Sequence, residues 1–185
     1  MEAVRARLAS GNAHKLEELR AALPGWELEL LETATPYPDE DGVTYYENAL
    51  AKAEFGRAVG PTDAWTLGED SGIEAEALGG RPGIASARWA ADGVAQLLAE
   101  LEGAADRRAR YVCELVALSP DGEELRGTGT LEGAIATERR GDEGFGYDPV
   151  FVPAGEERTV AELGNDWKRR NYHRARAAEA LPSAR

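Results

Sequence analysis

The chain has 185 residues, 43% of them apolar and 30% charged, and a formal net charge of −13. That length builds one large domain, or two lobes sharing a core, without disulfide staples. Uniform acidity argues against nucleic acid and anionic membrane as partners, but a cleft with local cations still admits a small phosphorylated substrate.

In chain order, Val4–Ala9 alternates apolar and basic residues and predicts a first strand. Ser10-Gly11-Asn12-Ala13-His14-Lys15 is the turn after it. Leu16, Leu19, Ala22 and Leu23 then recur at helical spacing, and Pro24-Gly25 ends the helix. Backbone amides at such a helix start suit an anion, with Asn12 as a donor and Lys15 as a cation. The same pattern suits a plain turn with Asn12 as N-cap. Trp26–Leu31 predicts a second strand, and residues 33–43 a loop. Thr44 and Glu47 have capping-box spacing at the head of a second helix that closes at Gly60-Pro61.

Leu67-Gly68-Glu69-Asp70-Ser71-Gly72 is where the chemistry is expected. Two acids, a hydroxyl and a glycine follow a short strand, which places them at a strand end or sharp turn. Adjacent carboxylates with a third nearby suit a hard cation such as Mg²⁺. Gly79–Gly83 is a turn cluster, and Asp92 caps a helix through Leu101. A strand over 110–118 leads through the turn Ser119-Pro120-Asp121-Gly122 into a partner strand over 124–137. Gly127, Gly129 and Gly133 in that partner predict bulges or close backbone approach. Gly144 and Gly146 give room beside a ligand, and Phe145 or Tyr147 is placed to stack on a base; two core aromatics fit equally. Val150–Val152 is a short strand and Thr159–Leu163 a short capped helix. Residues 166–181 read as one basic last helix carrying Lys168, Arg169, Arg170, His173, Arg174 and Arg176. Interleaved strands and helices with one long hairpin give an α/β fold with a mixed sheet. The single cysteine, Cys113, lies in an apolar strand and reads as an inert core thiol in a reducing, cytoplasmic setting. The first residues carry no apolar signal-like segment, and no apolar run is long enough to span a bilayer.

Five patches in order resemble the inosine triphosphate pyrophosphatase family. They are Ser10–Lys15; Tyr46-Glu47-Asn48-Ala49-Leu50-Ala51-Lys52-Ala53; Glu69–Gly72 with Ala77–Arg88; Gly144–Phe151; and Ala161-Glu162-Leu163 followed by Lys168 and His173-Arg174. The match covers nearly the whole chain. The resemblance implies one pyrophosphatase domain over residues 1–185, with a long mixed sheet, flanking helices, and two lobes with the active-site cleft between them. It also implies a homodimer and Mg²⁺-dependent hydrolysis of ITP, dITP and XTP to the monophosphate and pyrophosphate. By motif position Asp70 matches the catalytic base and a metal acid, and Glu47 the metal glutamate. Ser10, Gly11, Asn12, Ala13, His14 and Lys15 match the phosphate-binding turn. Ser71, Phe145, Gly146, Tyr147, Asp148, Lys168, His173 and Arg174 match nucleotide-binding positions. Three positions depart from the usual pattern: Glu69 stands where many members have a first aspartate, Tyr172 where serine is common, and His14 where a small residue is frequent.

On this resemblance Lys15 and Lys168 hold phosphate oxygens, while His173, Arg174 and backbone amides donate to a 6-oxo purine. Two other readings compete. Maf-like enzymes share the chemistry on dTTP or UTP, but Phe145–Asp148 and His173-Arg174 argue against them. A nucleotide- or RNA-binding module using the basic last helix conflicts with the overall acidity.

Overall fold

The computed structural model describes residues 3–182. Six strands form one mixed sheet in the order β2-β1-β3-β4-β5-β6, with helices flanking it. Strand β1 (Val4–Leu8) runs parallel to β2 (Trp26–Leu30), pairing Val4 with Trp26 and Leu8 with Leu30. It also runs parallel to β3 (Trp65–Ala75), pairing Leu8 with Leu67. Helix α1 (Ala13–Ala22) joins β1 to β2. Its N-cap is Asn12, whose side chain accepts from the amides of His14 and Lys15.

Helix α2 (Tyr45–Val59) starts at a complete capping box. Thr44 accepts from the Glu47 amide, and the Glu47 carboxylate accepts from Thr44 in return. The helix packs closely on β3 because residue 68 is glycine. A Cβ there would lie 1.9 Å from the Ala49 carbonyl oxygen.

Strand β3 departs from the expected short strand and turn. It runs unbroken through Glu69, Asp70, Ser71 and Gly72, with Glu69 and Asp70 buried. Two adjacent acids favour a solvated turn only while they lack partners, and here distant cations supply them.

After β3 come two short 3-10 turns and α3 (Gly93–Glu100), capped by Asp92 as expected. Strand β4 (Arg108–Leu118) turns at residues 119–123 into β5 (Glu124–Ile135). The expected close approaches occur at two glycines. A Cβ on Gly127 would meet the Ala177 carbonyl oxygen at 2.1 Å, and one on Gly133 that of Val152 at 2.3 Å. Strand β6 (Phe151–Pro153) pairs antiparallel with β5. Helix α4 (Val160–Leu163) has its own capping box, Thr159 with Glu162.

The expected single last helix is two: α5 (Asn165–Asn171) and α6 (His173–Ala180). Tyr172 is extended, at φ −76° and ψ 161°, and interrupts them. No proline or glycine marks the break. It accompanies a tertiary bond, in which the Tyr172 hydroxyl donates to Asp148.

The chain forms two compact units. One comprises the residues up to Asp70, Cys113–Gly129 and the segment from Arg174 onward; the other comprises Ser71–Val112 and Thr130–His173. The first has a core of Leu8, Leu16, Leu19, Leu67, Cys113 and Leu115. The second has a core of Ile73, Leu97, Leu101, Tyr111, Phe151 and Val160.

Candidate active site

The first unit carries the acids. Successive side chains of a strand point to opposite faces, so Glu69 and Asp70 serve different neighbours. Asp70 faces α2. Its Oδ2 accepts from Asn48 Nδ2 at 3.0 Å and its Oδ1 from Lys52 Nζ at 3.2 Å. Asn48 and Lys52 are one helical turn apart and share a face. Asn48 Oδ1 accepts from the Gly42 amide at 2.9 Å. Lys52 Nζ also donates to the Glu69 carbonyl at 3.1 Å and pairs with the carboxylate of Glu40. Burial raises the Asp70 pKa, and the pull of Lys52 and Asn48 in the other direction does not cancel it. Burial also disfavours the Lys52 ammonium, but Asp70 and Glu40 outweigh that and hold its pKa above the ordinary value.

Glu69 faces α1 and α6. Its side chain is fully buried, with Lys15 Nζ 2.6 Å from Oε2 and Arg174 Nε 3.0 Å from Oε1. Burial opposes its ionisation, yet Arg174 and Lys15 hold its carboxyl well below the usual range. Cys113 Sγ lies 3.6 Å from Oε1. Burial and that carboxylate push the thiol well above its ordinary pKa, in keeping with the inert core thiol expected.

The turn at the head of α1 is partly self-satisfied. Ser10 Oγ accepts from the Asn12 amide at 3.1 Å, and Asn12 Oδ1 accepts from the amides of His14 at 2.9 Å and Lys15 at 3.3 Å. Asn12 thus spends its side chain on the cap, while His14 is exposed. Gly11 and Ala13 belong to the same turn, and a Cβ on Gly11 would meet nothing within 4 Å.

Glu47 caps its own helix. Its Oε2 accepts from the amides of Val43 at 2.6 Å and Thr44 at 3.1 Å, on the exposed end of α2. The acid that joins Asp70 on a common cation is Glu40, from the loop before α2. Sequence reading missed Glu40 because a turn-type loop gives an acid no periodicity. Asn48 and Lys52 left a weak signal, as two polar residues at helical spacing among alanines.

The second unit gathers most of the other expected residues around Asp148, which is fully buried. Its Oδ2 accepts from Lys168 Nζ at 2.7 Å and from the Phe145 amide at 2.9 Å. Its Oδ1 accepts from the hydroxyls of Tyr172 and Tyr111. The Tyr172 hydroxyl, whose position departs from the family pattern, is therefore an internal donor. Gly144 permits this packing: at φ +82°, a Cβ on it would lie 2.2 Å from Asp148 Oδ2. Lys168 Nζ sits 4.5 Å from the centre of the half-buried Phe145 ring and 4.6 Å from that of Tyr172. His173 is buried and stacked on Tyr111, with centroids 4.6 Å apart and planes 9° apart. Tyr147 is a core residue whose hydroxyl donates to the Ser86 carbonyl at 2.9 Å, and burial pushes its pKa up to about 12. Gly146, at φ +60°, lies on the exposed part of the loop. Ser71 is half-buried on β3, on the strand face opposite to Asp70.

Lys168, His173 and Arg174 are buried and engaged, so the basic segment is not a continuous surface stripe. Among the described residues, no three His, Cys, Asp or Glu side chains converge as a metal cage. Two carboxylates, Asp70 and Glu40, do converge on the Lys52 ammonium. That donor set fits Mg²⁺, which takes one or two carboxylates and completes its shell with water and phosphate oxygens.

The family model described as the Ham1 family matches residues 6–184. The chain belongs to the Ham1 family. Among its Ham1 relatives, the dITP/XTP pyrophosphatase of Mycobacterium tuberculosis is 44% identical over 194 residues, covering 96% of this chain and 94% of the relative. The dITP/XTP pyrophosphatase of Deinococcus deserti is 41% identical over 184 residues, covering 96% and 87%. The Staphylococcus aureus Ham1 protein has a similar structure, with a TM-score of 0.81 at 34% identity, covering 95% of this chain and 94% of that one.

Proposed function

We propose that this Ham1 protein hydrolyses non-standard purine nucleoside triphosphates, ITP, dITP and XTP, to the monophosphate and pyrophosphate. It thereby clears deaminated purines from the nucleotide pool. The observation that carries the reading is Asp70: a buried carboxylate of raised pKa, oriented by Asn48 and Lys52.

Cleavage at the α-phosphate requires an in-line water, a held triphosphate and a neutralised leaving group. Asp70 takes the proton of the attacking water, and its raised pKa makes it a better base than an ordinary aspartate. Lys52 and Asn48 fix the direction of its carboxylate. Lys15 and the amides of the turn hold phosphate oxygens. Asp70 and Glu40 are the residues that would hold Mg²⁺, which supplies charge neutralisation on the phosphates when bound. Glu40 is a candidate for the metal position beside Glu47, whose carboxylate is engaged in its cap in this structure. Glu69 lies outside that pair, on the other face of β3.

Base recognition falls to the Asp148 cluster. Phe145 offers a ring for stacking, and Lys168, neutralised by Asp148, acts there rather than as a free phosphate cation. His173 and backbone amides donate to the C6 oxygen of inosine or xanthosine. Adenine presents an amino group at that position, and a buried donor facing it costs about 1–3 kcal/mol. Two such losses give roughly 10²–10⁴ in specificity. Guanine keeps the C6 oxygen, so its rejection requires a wall or a donor opposite the 2-amino group.

A substrate panel tests the reading. We expect kcat/KM for ITP and XTP to exceed those for ATP and GTP by at least about 10², with pyrophosphate as co-product. Equal values for ITP and ATP would sink it, as would stepwise release of orthophosphate. We further propose a cytoplasmic homodimer, the location supported by the free core thiol Cys113 and the dimer by family resemblance. Light scattering that returns a single chain mass would overturn the dimer.

A further inference from the structure

Four charged side chains of the first unit, two of them buried, form a chain of ion pairs. Lys15 Nζ lies 2.6 Å from Glu69 Oε2, Arg174 Nε donates to Glu69 Oε1 at 3.0 Å, and Arg174 Nη1 donates to Glu18 Oε2 at 2.9 Å. The two ends of the chain, Glu18 and Lys15, both belong to α1 and lie three residues apart on one face. Glu69 is fully buried; the side chains of Arg174, Glu18 and Lys15 are 4%, 14% and 17% exposed. The set is formally neutral, with two cations and two anions.

We propose that Glu18 is a positioning residue for Lys15, acting through Arg174 and Glu69. The inference rests on the reading of Lys15 as a phosphate-holding residue. A lysine ammonium on a four-carbon stem has no preferred direction of its own, so something must aim it. Glu69 does this with one oxygen, leaving the other donors of the ammonium for a ligand. The Glu69 carboxylate is aimed in turn by Arg174. A guanidinium held at one nitrogen can swing, whereas one held at Nε and Nη1 has its plane fixed. Glu18 provides the second hold. Loss of Glu18 removes one negative charge from these four side chains, which then carry a net positive charge that works against Lys15 in its place.

Glu18 touches neither Asp70 nor Lys52 among the contacts described above, so its loss acts on phosphate binding rather than on the water-activating step. A double-mutant cycle tests this with Glu18→Ala, Lys15→Ala and the pair, alongside Glu18→Gln. The measurements are kcat and KM for ITP, inhibition by inorganic tripolyphosphate as a probe lacking a base, and the thermal midpoint. Glu18→Ala should raise KM for ITP about tenfold and weaken tripolyphosphate inhibition equally, with kcat changed by less than about twofold. Glu18→Gln keeps an oxygen for Nη1 but not the charge, and should recover only part of the affinity. In the Lys15→Ala background, Glu18→Ala should change neither constant further. An equal, additive effect of Glu18→Ala with and without Lys15 would overturn the positioning role while leaving Lys15 as a phosphate residue. A Lys15→Ala variant with unchanged KM would instead remove Lys15 from phosphate binding, and this inference with it. Should Glu18→Ala fail to fold, the cycle is run with Glu18→Gln. Its smaller shift must likewise vanish without Lys15, and a persistent shift overturns the proposal.

Discussion

Lys52 Nζ lies 3.2 Å from Asp70 Oδ1 and 3.1 Å from the carbonyl of the preceding residue, Glu69. One ammonium from α2 thus holds the side chain of Asp70, the proposed base, and the backbone of the residue before it. It offsets part of the cost of burying that carboxylate, and it brings in Glu40 from a loop that would otherwise have no fixed relation to β3.

Asp70→Asn should reduce kcat by about 10²–10⁴ or more, the typical loss for a general base. It should leave the thermal midpoint within a few degrees or raise it, because a neutral amide no longer pays the burial penalty. Turnover assays and thermal unfolding on one preparation decide. Near wild-type turnover would remove Asp70 from the mechanism.

Glu40→Gln should shift the Mg²⁺ concentration for half-maximal activity upward by about tenfold or more, as expected for loss of one of two carboxylate ligands. Glu47→Gln should leave that value unchanged, since glutamine also completes a capping box. A metal titration of both variants separates the two acids. A shift confined to Glu47→Gln would return the metal role to Glu47 and reduce Glu40 to a partner of Lys52.

The capping box at Thr44, the caps at Asp92 and Thr159, and the hairpin at Ser119 were legible because each is written within four or five consecutive residues. Strand β3 was not. Glu69 and Asp70 read as turn residues in any local window, and the partners that make them tolerable in a strand are far away in sequence: Lys52 on α2 and, 105 positions from Glu69, Arg174. The break at Tyr172 was hidden for the same reason, since its hydroxyl answers to Asp148, 24 residues earlier. Family resemblance placed Asp70, Lys15, Asp148 and Lys168 among the site residues. It did not distinguish groups that face a ligand from groups that hold each other.

Glu69 sets a pH dependence of stability in metal-free protein. Its folded pKa is depressed, so its contribution is present above the ordinary glutamate pKa of 4.5 and is lost as pH falls through the folded value. Glu69→Gln should therefore be destabilised at pH 7, and the gap to wild type should shrink toward pH 3. Asp70 works in the opposite sense. Its raised folded pKa gives a contribution that is complete below its ordinary value of 3.8 and is lost as pH rises through the folded pKa. Denaturant unfolding at both pH values, with and without each substitution, checks the two signs. A Glu69→Gln gap of equal size at pH 7 and pH 3 would show that folding does not lower the pKa of this carboxyl.

Gly68→Ala should destabilise the protein by about 3 kcal/mol or more, because the new methyl would press on the Ala49 carbonyl and force α2 away from β3. That corresponds to a fall of roughly 6–12 °C in Tm for a chain of this size. Gly25→Ala is the control: its Cβ would meet nothing within 4 Å, and it should change stability by less than about 0.5 kcal/mol. Equal melting temperatures for the two variants would mean that the contact between α2 and β3 yields freely.

The side chain of Asn48 has a direction. Its oxygen accepts from the Gly42 amide and its nitrogen donates to Asp70. Rotating the amide by half a turn would set an acceptor against the carboxylate and a donor against the amide of Gly42. Hydrolysis of that one amide to aspartate would keep an acceptor for the Gly42 amide but replace the donor facing Asp70 with a second carboxylate. The direction of the Asp70 carboxylate is therefore tied to the chemical integrity of one neighbouring amide.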